Sequence, residues 1–205
     1  MKNPNTIIII SIFSLLGLLP ISSDLTASDF RNADWYMTPQ EVMAVEDVNI
    51  LTDATNGNQY WLFCDTVYLF YHSSELTYEF YDNGLVRADY EIITDNYKAL
   101  QFLEAYDEFK AALTKKYGQP IEDKSDQVSF WLGDSTEIWW DDDSTAFEIG
   151  QLSKKAKWQT RRTIIELDLN SGVFSDSPWI AITYKSIEHE NLETERREKR
   201  ELDKL

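Results

Sequence analysis

The chain has 205 residues, enough for one domain of ordinary size or two small ones, and it is long enough to bury a sizeable core. Its formal net charge is −17, so most of its surface would repel a nucleic-acid backbone or an anionic membrane. We therefore exclude nucleic-acid partners and interpret the acidity as a solubility feature.

The N-terminal segment has the pattern of a secretory signal peptide. Lys2 precedes an apolar run over residues 7–19, and Pro20 and small polar residues follow. The run is short for a membrane span. We expect residues 1–28 to be a signal peptide and short leader, and the mature chain to be extracytoplasmic, either periplasmic or secreted. Membrane attachment is expected only if this segment stays uncleaved.

The single cysteine, Cys64, lies far beyond the apolar run. The sequence therefore predicts neither an intramolecular disulfide nor the lipid anchor of a bacterial lipoprotein, whose modified cysteine directly follows the signal. We expect Cys64 to be a small buried apolar residue.

A short first helix is predicted from a capping box. Thr38 is followed by proline at the first helical position and by Glu41 three residues later. Val42 and Val45 are the expected buried side. The helix should end before residues 53–58, DATNGN, which have the composition of a turn-rich loop.

A first antiparallel β-meander should follow, because the next residues are rich in aromatic and β-branched side chains. Asn83-Gly84 predicts a tight hairpin turn. Ala88 and Tyr90 alternate with Arg87 and Asp89, which indicates a sheet with one exposed face. The predicted strands are residues 59–63, 67–71, 76–81 and 85–93.

The central helix is predicted over residues 97–117. We expect Thr94 and Asp95 to cap its start and Gly118 to end it in a left-handed conformation. Apolar residues at spacings of three and four predict one buried stripe: Ala99, Phe102, Leu103, Tyr106, Phe109, Leu113 and Tyr117.

A second meander is predicted beyond this helix, with residues 154–157 as a basic, solvated turn. Its strands are expected at residues 128–132, 137–140, 146–151, 163–169 and 179–184. The chain should end in a charged helix. The predicted segments are a leader (1–28), a first helix and meander (29–96), the central packing helix (97–120), the second meander (121–186) and the C-terminal helix (187–205).

Two stretches resemble a pattern of small exported bacterial proteins of unknown function. They are FRNADWYMTPQEV at residues 30–42 and WQT at residues 158–160, followed by Thr163-Ile164. The first also resembles the helix opening of the BamE (SmpA/OmlA) and β-lactamase-inhibitor-like folds, with Tyr36 at the position of a glycine. The resemblance implies a helix packed on an antiparallel sheet, in tandem for the inhibitor, and a protein-binding or envelope-associated module.

Catalytic motifs are missing from the sequence. It has no G-x-S-x-G, no H-E-x-x-H, no glycine-rich phosphate loop and no cysteine pair, and His72 and His189 follow no metal-ligand spacing. We therefore expect no cofactor. An enzyme built on carboxylates would have to bring acids from separate segments into one pocket: Glu79, Glu91, Glu137 and Glu166.

Two candidate sites lie between residues 131 and 143. Trp131, Trp139 and Trp140, with Glu137 nearby, could stack on a sugar or dock a peptide. Asp141 and Asp143 could bind a hard cation such as calcium, although the loop lacks the spacing of a helix-loop-helix site.

We conclude that the sequence predicts an α+β fold with two antiparallel β-meanders joined by a central amphipathic helix. These form either one sheet or tandem helix-on-sheet halves. The predicted function is that of a non-enzymatic exported binding protein with a protein partner. A carbohydrate-binding module using exposed tryptophans is the alternative, followed by a carboxylate- or calcium-dependent hydrolase.

Overall fold

The computed structural model describes residues 28–127, 130–132, 136–138, 142–148, 150–172 and 177–204. Its helices are α1 Pro39–Val45, α2 Ala99–Tyr117, α3 Asp143–Glu148 and α4 Ile187–Leu202. Its strands are β1 Ile50–Asn56, β2 Gln59–Cys64, β3 Val67–Leu69, β4 His72–Tyr81, β5 Gly84–Ile92, β6 Glu122–Gln127, β7 Phe130–Leu132, β8 Thr136–Ile138, β9 Leu152–Gln159, β10 Thr163–Asn170 and β11 Trp179–Ser186. The predicted α+β class is confirmed.

Nine of the strands form one antiparallel sheet. The order is β1-β2-β4-β5-β11-β10-β9-β6, with β3 paired to the start of β4, while β7 and β8 form a separate ribbon. The pairing of β5 with β11, in which Ala88 lies opposite Tyr184, joins the two meanders. Each half has a helix followed by four strands of this path, and the last strands of the halves meet in the middle.

The sheet has a core face and an open face. In β4, Leu76, Tyr78 and Phe80 are fully buried, whereas the residues between them are exposed or half-buried. Helix α2 packs against β9 and β10 with its predicted stripe, in which Leu103 and Tyr117 are half-buried rather than buried. We use "open face" for the residues that alternate with the buried ones. None of the described helices is long and apolar enough to span a membrane.

Phe30 and Trp35 are buried where the two halves of the sheet meet. The ring centroid of Phe30 lies 5.7 Å from that of Tyr78 in β4, 5.4 Å from Tyr90 in β5 and 4.8 Å from Tyr184 in β11. The indole N–H of Trp35 donates to the hydroxyl of Thr163 in β10 (3.0 Å). These residues therefore connect the first half of the sheet to the second.

A partly buried ion pair supports the same region. Arg31 donates from Nε to Glu46 (2.7 Å), whose side chain is 1% exposed, and from Nη1 to the hydroxyl of Tyr90 (3.3 Å). Cys64 is a buried free cysteine, as predicted, and burial raises the pKa of its thiol to about 11. At this pKa the neutral thiol predominates, which suits a packing role.

The turn before α1 forms with Tyr36 rather than a glycine. Tyr36 has a φ of 71°, in the left-handed region, and its backbone N–H donates to the carbonyl of Leu85 (2.8 Å). The predicted capping box is present, since the Thr38 hydroxyl accepts from the N–H of Glu41. Val45 was wrongly predicted to be buried; it is 40% exposed, because α1 ends there and Glu46, four residues after the buried Val42, takes the buried position.

The predicted loop at residues 53–58 is wrong for most of its length. Strand β1 extends to Asn56, which pairs with Gln59, so only Gly57 and Asn58 form the turn. The hairpin predicted at Asn83-Gly84 is present but displaced by one residue. Asp82 and Asn83 have φ values of 47° and 69°, whereas the glycine belongs to β5. A Cβ there would lie 3.3 Å from the Cα of Tyr36, so this close packing favours glycine.

Three predictions around α2 and β9 are also wrong. Thr94 and Asp95 do not cap α2; the first helical turn is stabilised by the side chain of Gln101, which accepts from the N–H of Lys98 (2.9 Å). Residues 146–151 are not a strand, because residues 143–148 form α3 and Asp142 accepts from the N–H of Thr145 (2.9 Å) at its start. Residues 154–157 are not a turn but the middle of β9.

Candidate binding site on the open sheet face

A depression of about 540 Å³ lies on the open face. It covers the middle of the first half and the pairing of β5 with β11, which we call the seam. Strands β2, β4, β5 and β11 form its floor, and because all of them are hydrogen-bonded in one sheet, their side chains stand in fixed cross-strand rows. It is lined by Trp61, Phe63, Glu79, Arg87, Asp89 and Trp179, together with Glu75, Thr77, Glu91 and Ala181.

Aromatic rings stand at opposite sides of this depression. Trp61 and Phe63 belong to β2, where they alternate with the buried Leu62 and Cys64. Trp179 starts β11, three strand spacings away, or about 14 Å across the sheet. Phe63 and Trp179 are each 37% exposed. Large aromatic rings that are partly exposed are typical of binding surfaces, since a partner can bury the apolar area that they leave in contact with water.

Carboxylates occupy the space between the rings. Glu75 in β4 lies directly opposite Glu91 in β5, and both are exposed. Glu79 lies opposite Trp61 on one side and Arg87 on the other. Counted together with Asp89, the depression has four carboxylates and one guanidinium.

One of these carboxylates is held within the sheet. Arg87 donates to both oxygens of Asp89 from Nε (3.0 and 2.8 Å), and to Oδ1 from Nη2 (2.8 Å), while the hydroxyl of Thr183 donates to Oδ1 (2.6 Å). Asp89 and Arg87 therefore neutralise each other. The remaining charge of the depression belongs to Glu75, Glu79 and Glu91.

The open face of the second half is different, because its carboxylates are paired with lysines. Glu166 in β10 accepts from Lys185 (2.8 Å) and lies 3.4 Å from both Lys155 and Lys157. Burial opposes its ionisation, but the hydrogen bond from Lys185 and the charges of the other two lysines lower the pKa of Glu166 to about 2. Burial raises the pKa of its neighbour Asp168.

Most of the residues in the sequence-predicted tryptophan site lie where the structure describes no side chains. The backbones of Trp131 and Glu137 pair directly in the β7–β8 ribbon, and only this backbone register is described for the two residues. Trp139, Trp140 and Asp141 lie outside the described residues.

The predicted cation site is described only in part. Asp143 lies in the first turn of α3 and forms an ion pair with Lys154 (2.5 Å). No group of three or more potential metal ligands occurs among the residues that the structure describes.

The acids expected of a carboxylate enzyme are only partly brought together. Glu79 and Glu91 line the depression, whereas Glu166 lies in β10 beyond the seam, among its lysines. Glu137 belongs to the ribbon. The sequence analysis missed Trp61, Phe63 and Trp179 as site residues. The alternation of Trp61 and Phe63 with Leu62 and Cys64 is a signal that could have placed both rings on the open face.

Comparisons with known proteins gave no match: no family model and no curated protein matches the sequence, and no solved structure matches the fold.

Proposed function

We propose that this chain is a non-enzymatic binding protein of the cell envelope or extracellular space, and that a protein partner docks on the open face of the sheet. The observation that carries this proposal is the depression, in which exposed aromatic rings lie near Glu75 and Glu91, two carboxylates that form no ion pair with the described residues. The export signal predicted in residues 1–28 supports the compartment.

The shape of the depression favours a protein over a small substrate. Its floor spans four strands, and the two strands that carry its aromatic side chains, β2 and β11, lie about 14 Å apart. Small-molecule sites enclose most of their ligand in a concave pocket, whereas protein interfaces are flatter and are enriched in aromatic residues. A rigid antiparallel sheet also presents such a surface with little loss of conformational entropy on binding.

Site-specific photocrosslinking in cells that make the protein tests this function. A photoreactive amino acid replaces Thr77, which lies at the centre of the depression, and in a matched control it replaces Glu104 on the exposed side of α2. We expect a discrete crosslinked protein from the Thr77 position and none from the control. The proposal fails if the Thr77 position yields no crosslinked protein.

A carbohydrate-binding function is the second candidate. It is favoured by Trp179, which exposes part of a flat ring in the same depression as Glu91. The glycan array that separates the two candidates compares the unmodified protein with Trp179→Ala. Glycan binding that is lost in the variant would favour the sugar ligand over the protein partner.

A further inference from the structure

The carboxylates of Glu75 and Glu91 form an unusual pair in this sheet. The residues are directly opposite in adjacent antiparallel strands and both side chains point to the open face. Their Cβ atoms are therefore about 5 Å apart, a separation at which like charges destabilise the strand pair. The next residue in the same row, Ala181 in β11, brings no charge. Within the described part of the chain, neither carboxylate has an ion pair.

This lack of compensation is specific to the first half. On the same face of the second half, Glu166 contacts three lysines, Asp168 lies 3.7 Å from Lys155, and Glu122 pairs with Lys124 (2.8 Å). The general acidity of the chain therefore does not explain the pair, since the second half of the same face pairs these three carboxylates with lysines. The difference identifies the depression as the part of this face that is complementary to a positive charge.

The aromatic rings of the depression fit the same kind of ligand. An ammonium or guanidinium group binds over the face of an aromatic ring, and an arginine also makes paired hydrogen bonds to carboxylates. We propose that the docking segment of the protein partner is cationic, with arginine or lysine side chains that contact Glu75 and Glu91 between Trp61 and Trp179. This inference rests on the proposed protein-binding function and specifies its partner.

The spacing allows one partner side chain to contact both carboxylates. Two carboxylates whose Cβ atoms are about 5 Å apart lie within reach of a single planar guanidinium. Its binding would remove the repulsion between Glu75 and Glu91 that exists in the free protein. The charge pair would then contribute to affinity and to the choice of a basic partner over a neutral one.

The test uses two synthetic ten-residue peptides and the protein as purified from cells that export it. One peptide carries three arginines among glycine and serine, and the other has glutamine at the same three positions. Tryptophan fluorescence reports binding at low ionic strength, where exposed charges are weakly screened. We expect the arginine peptide to bind at least about tenfold more tightly. Equal binding of the two peptides, or no binding of either, overturns the proposal.

Two double variants separate the site from the overall charge. E75Q/E91Q removes two charges from the depression, and E104Q/D107N removes two from the exposed side of α2, which packs on the other face of the sheet. We expect the first to weaken binding of the arginine peptide about tenfold and the second to leave it nearly unchanged. If both double variants weakened binding of the arginine peptide equally, the peptide would be attracted by the net charge of the protein only, and the proposed site would be wrong.

Photocrosslinking distinguishes this inference from the function on which it rests. If the Thr77 position captures a protein in the E75Q/E91Q background as efficiently as in the unmodified one, the docking surface stands and the cationic partner is wrong. If that position captures no protein in either background, the proposed function itself is wrong.

Discussion

At the scale of single residues, Tyr36 is held in a left-handed backbone conformation, with a φ of 71°. A non-glycine residue in this conformation lowers the free energy of unfolding by about 1–2 kcal/mol relative to glycine. Part of this difference is offset, because a chain with glycine has more conformational entropy in the unfolded state. We predict that Tyr36→Gly is more stable than Tyr36→Ala by about 0.5–1 kcal/mol. Both variants lose the same ring and the hydrogen bond to Ser186, so their difference isolates the backbone.

Urea denaturation of these two variants provides the measurement. On an ordinary strand the order would be reversed, because glycine weakens extended structure relative to alanine. An alanine variant as stable as the glycine variant would therefore show that the turn relaxes out of the left-handed region.

Glu166 predicts a pH dependence of stability. Its pKa is lowered from 4.5 to about 2 in the folded protein, so its contribution is fully present above pH 4.5 and is lost as the pH falls towards 2. We expect this loss to be on the order of 2 kcal/mol in the free energy of unfolding. The urea midpoint is measured at pH values about one unit apart from pH 6 to pH 2. It should fall less steeply with decreasing pH in Glu166→Gln than in the unmodified protein. Glu104→Gln, which changes an exposed carboxylate, should keep the slope of the unmodified protein.

At the scale of secondary-structure elements, the pairing of β4 with β5 contains the repulsion proposed to serve binding. We predict that Glu75→Gln and Glu91→Gln each stabilise the protein by about 0.5 kcal/mol, and that the double variant gains less than the sum, because either change removes the same repulsion. Thermal or urea unfolding of the four proteins measures this coupling. Strictly additive effects would show that the two carboxylates do not interact.

Elements with a clear period could be predicted from the sequence alone. The 3.6-residue spacing of Phe102, Tyr106 and Phe109 identified α2, and the alternation of Ile180 and Ile182 with Ala181 identified β11. In both cases one face is buried and the other is largely more exposed, so the pattern of side chains records the environment directly.

Elements whose environment comes from distant residues could not be predicted in this way. Strand β6, EDKSDQ, has no apolar alternation and exists because its backbone pairs with β9 at the edge of the sheet. The lysine-rich residues 154–157 of β9 were predicted as a solvated turn, because Glu166, the carboxylate that Lys155 and Lys157 contact, lies in the next strand. The depression on the open face was missed for the same reason, since its side chains come from four strands that only the fold places side by side.

At the scale of the whole molecule, the two halves share one sheet and one core. Strands β5 and β11 pair over five residues at its centre, and Phe30 packs on tyrosines from both halves. Phe30 and Trp35 therefore have a structural role in this chain: they connect the two halves of the sheet. The shape of the depression depends on this shared core, because Trp61 and Trp179 belong to different halves.

This shared core predicts a single cooperative unfolding transition. Leu62 in β2 is 1% exposed, and Leu62→Ala should lower the free energy of unfolding by about 2–5 kcal/mol through lost burial and the cavity that remains. Because the halves are continuous, this loss should appear equally in the hydrogen exchange of amides in the first half, such as Tyr78, and in the second, such as Leu167. If Leu167 kept its protection while Tyr78 lost it, the halves would be separate folding units, and the seam would be an interface between two domains rather than part of one core.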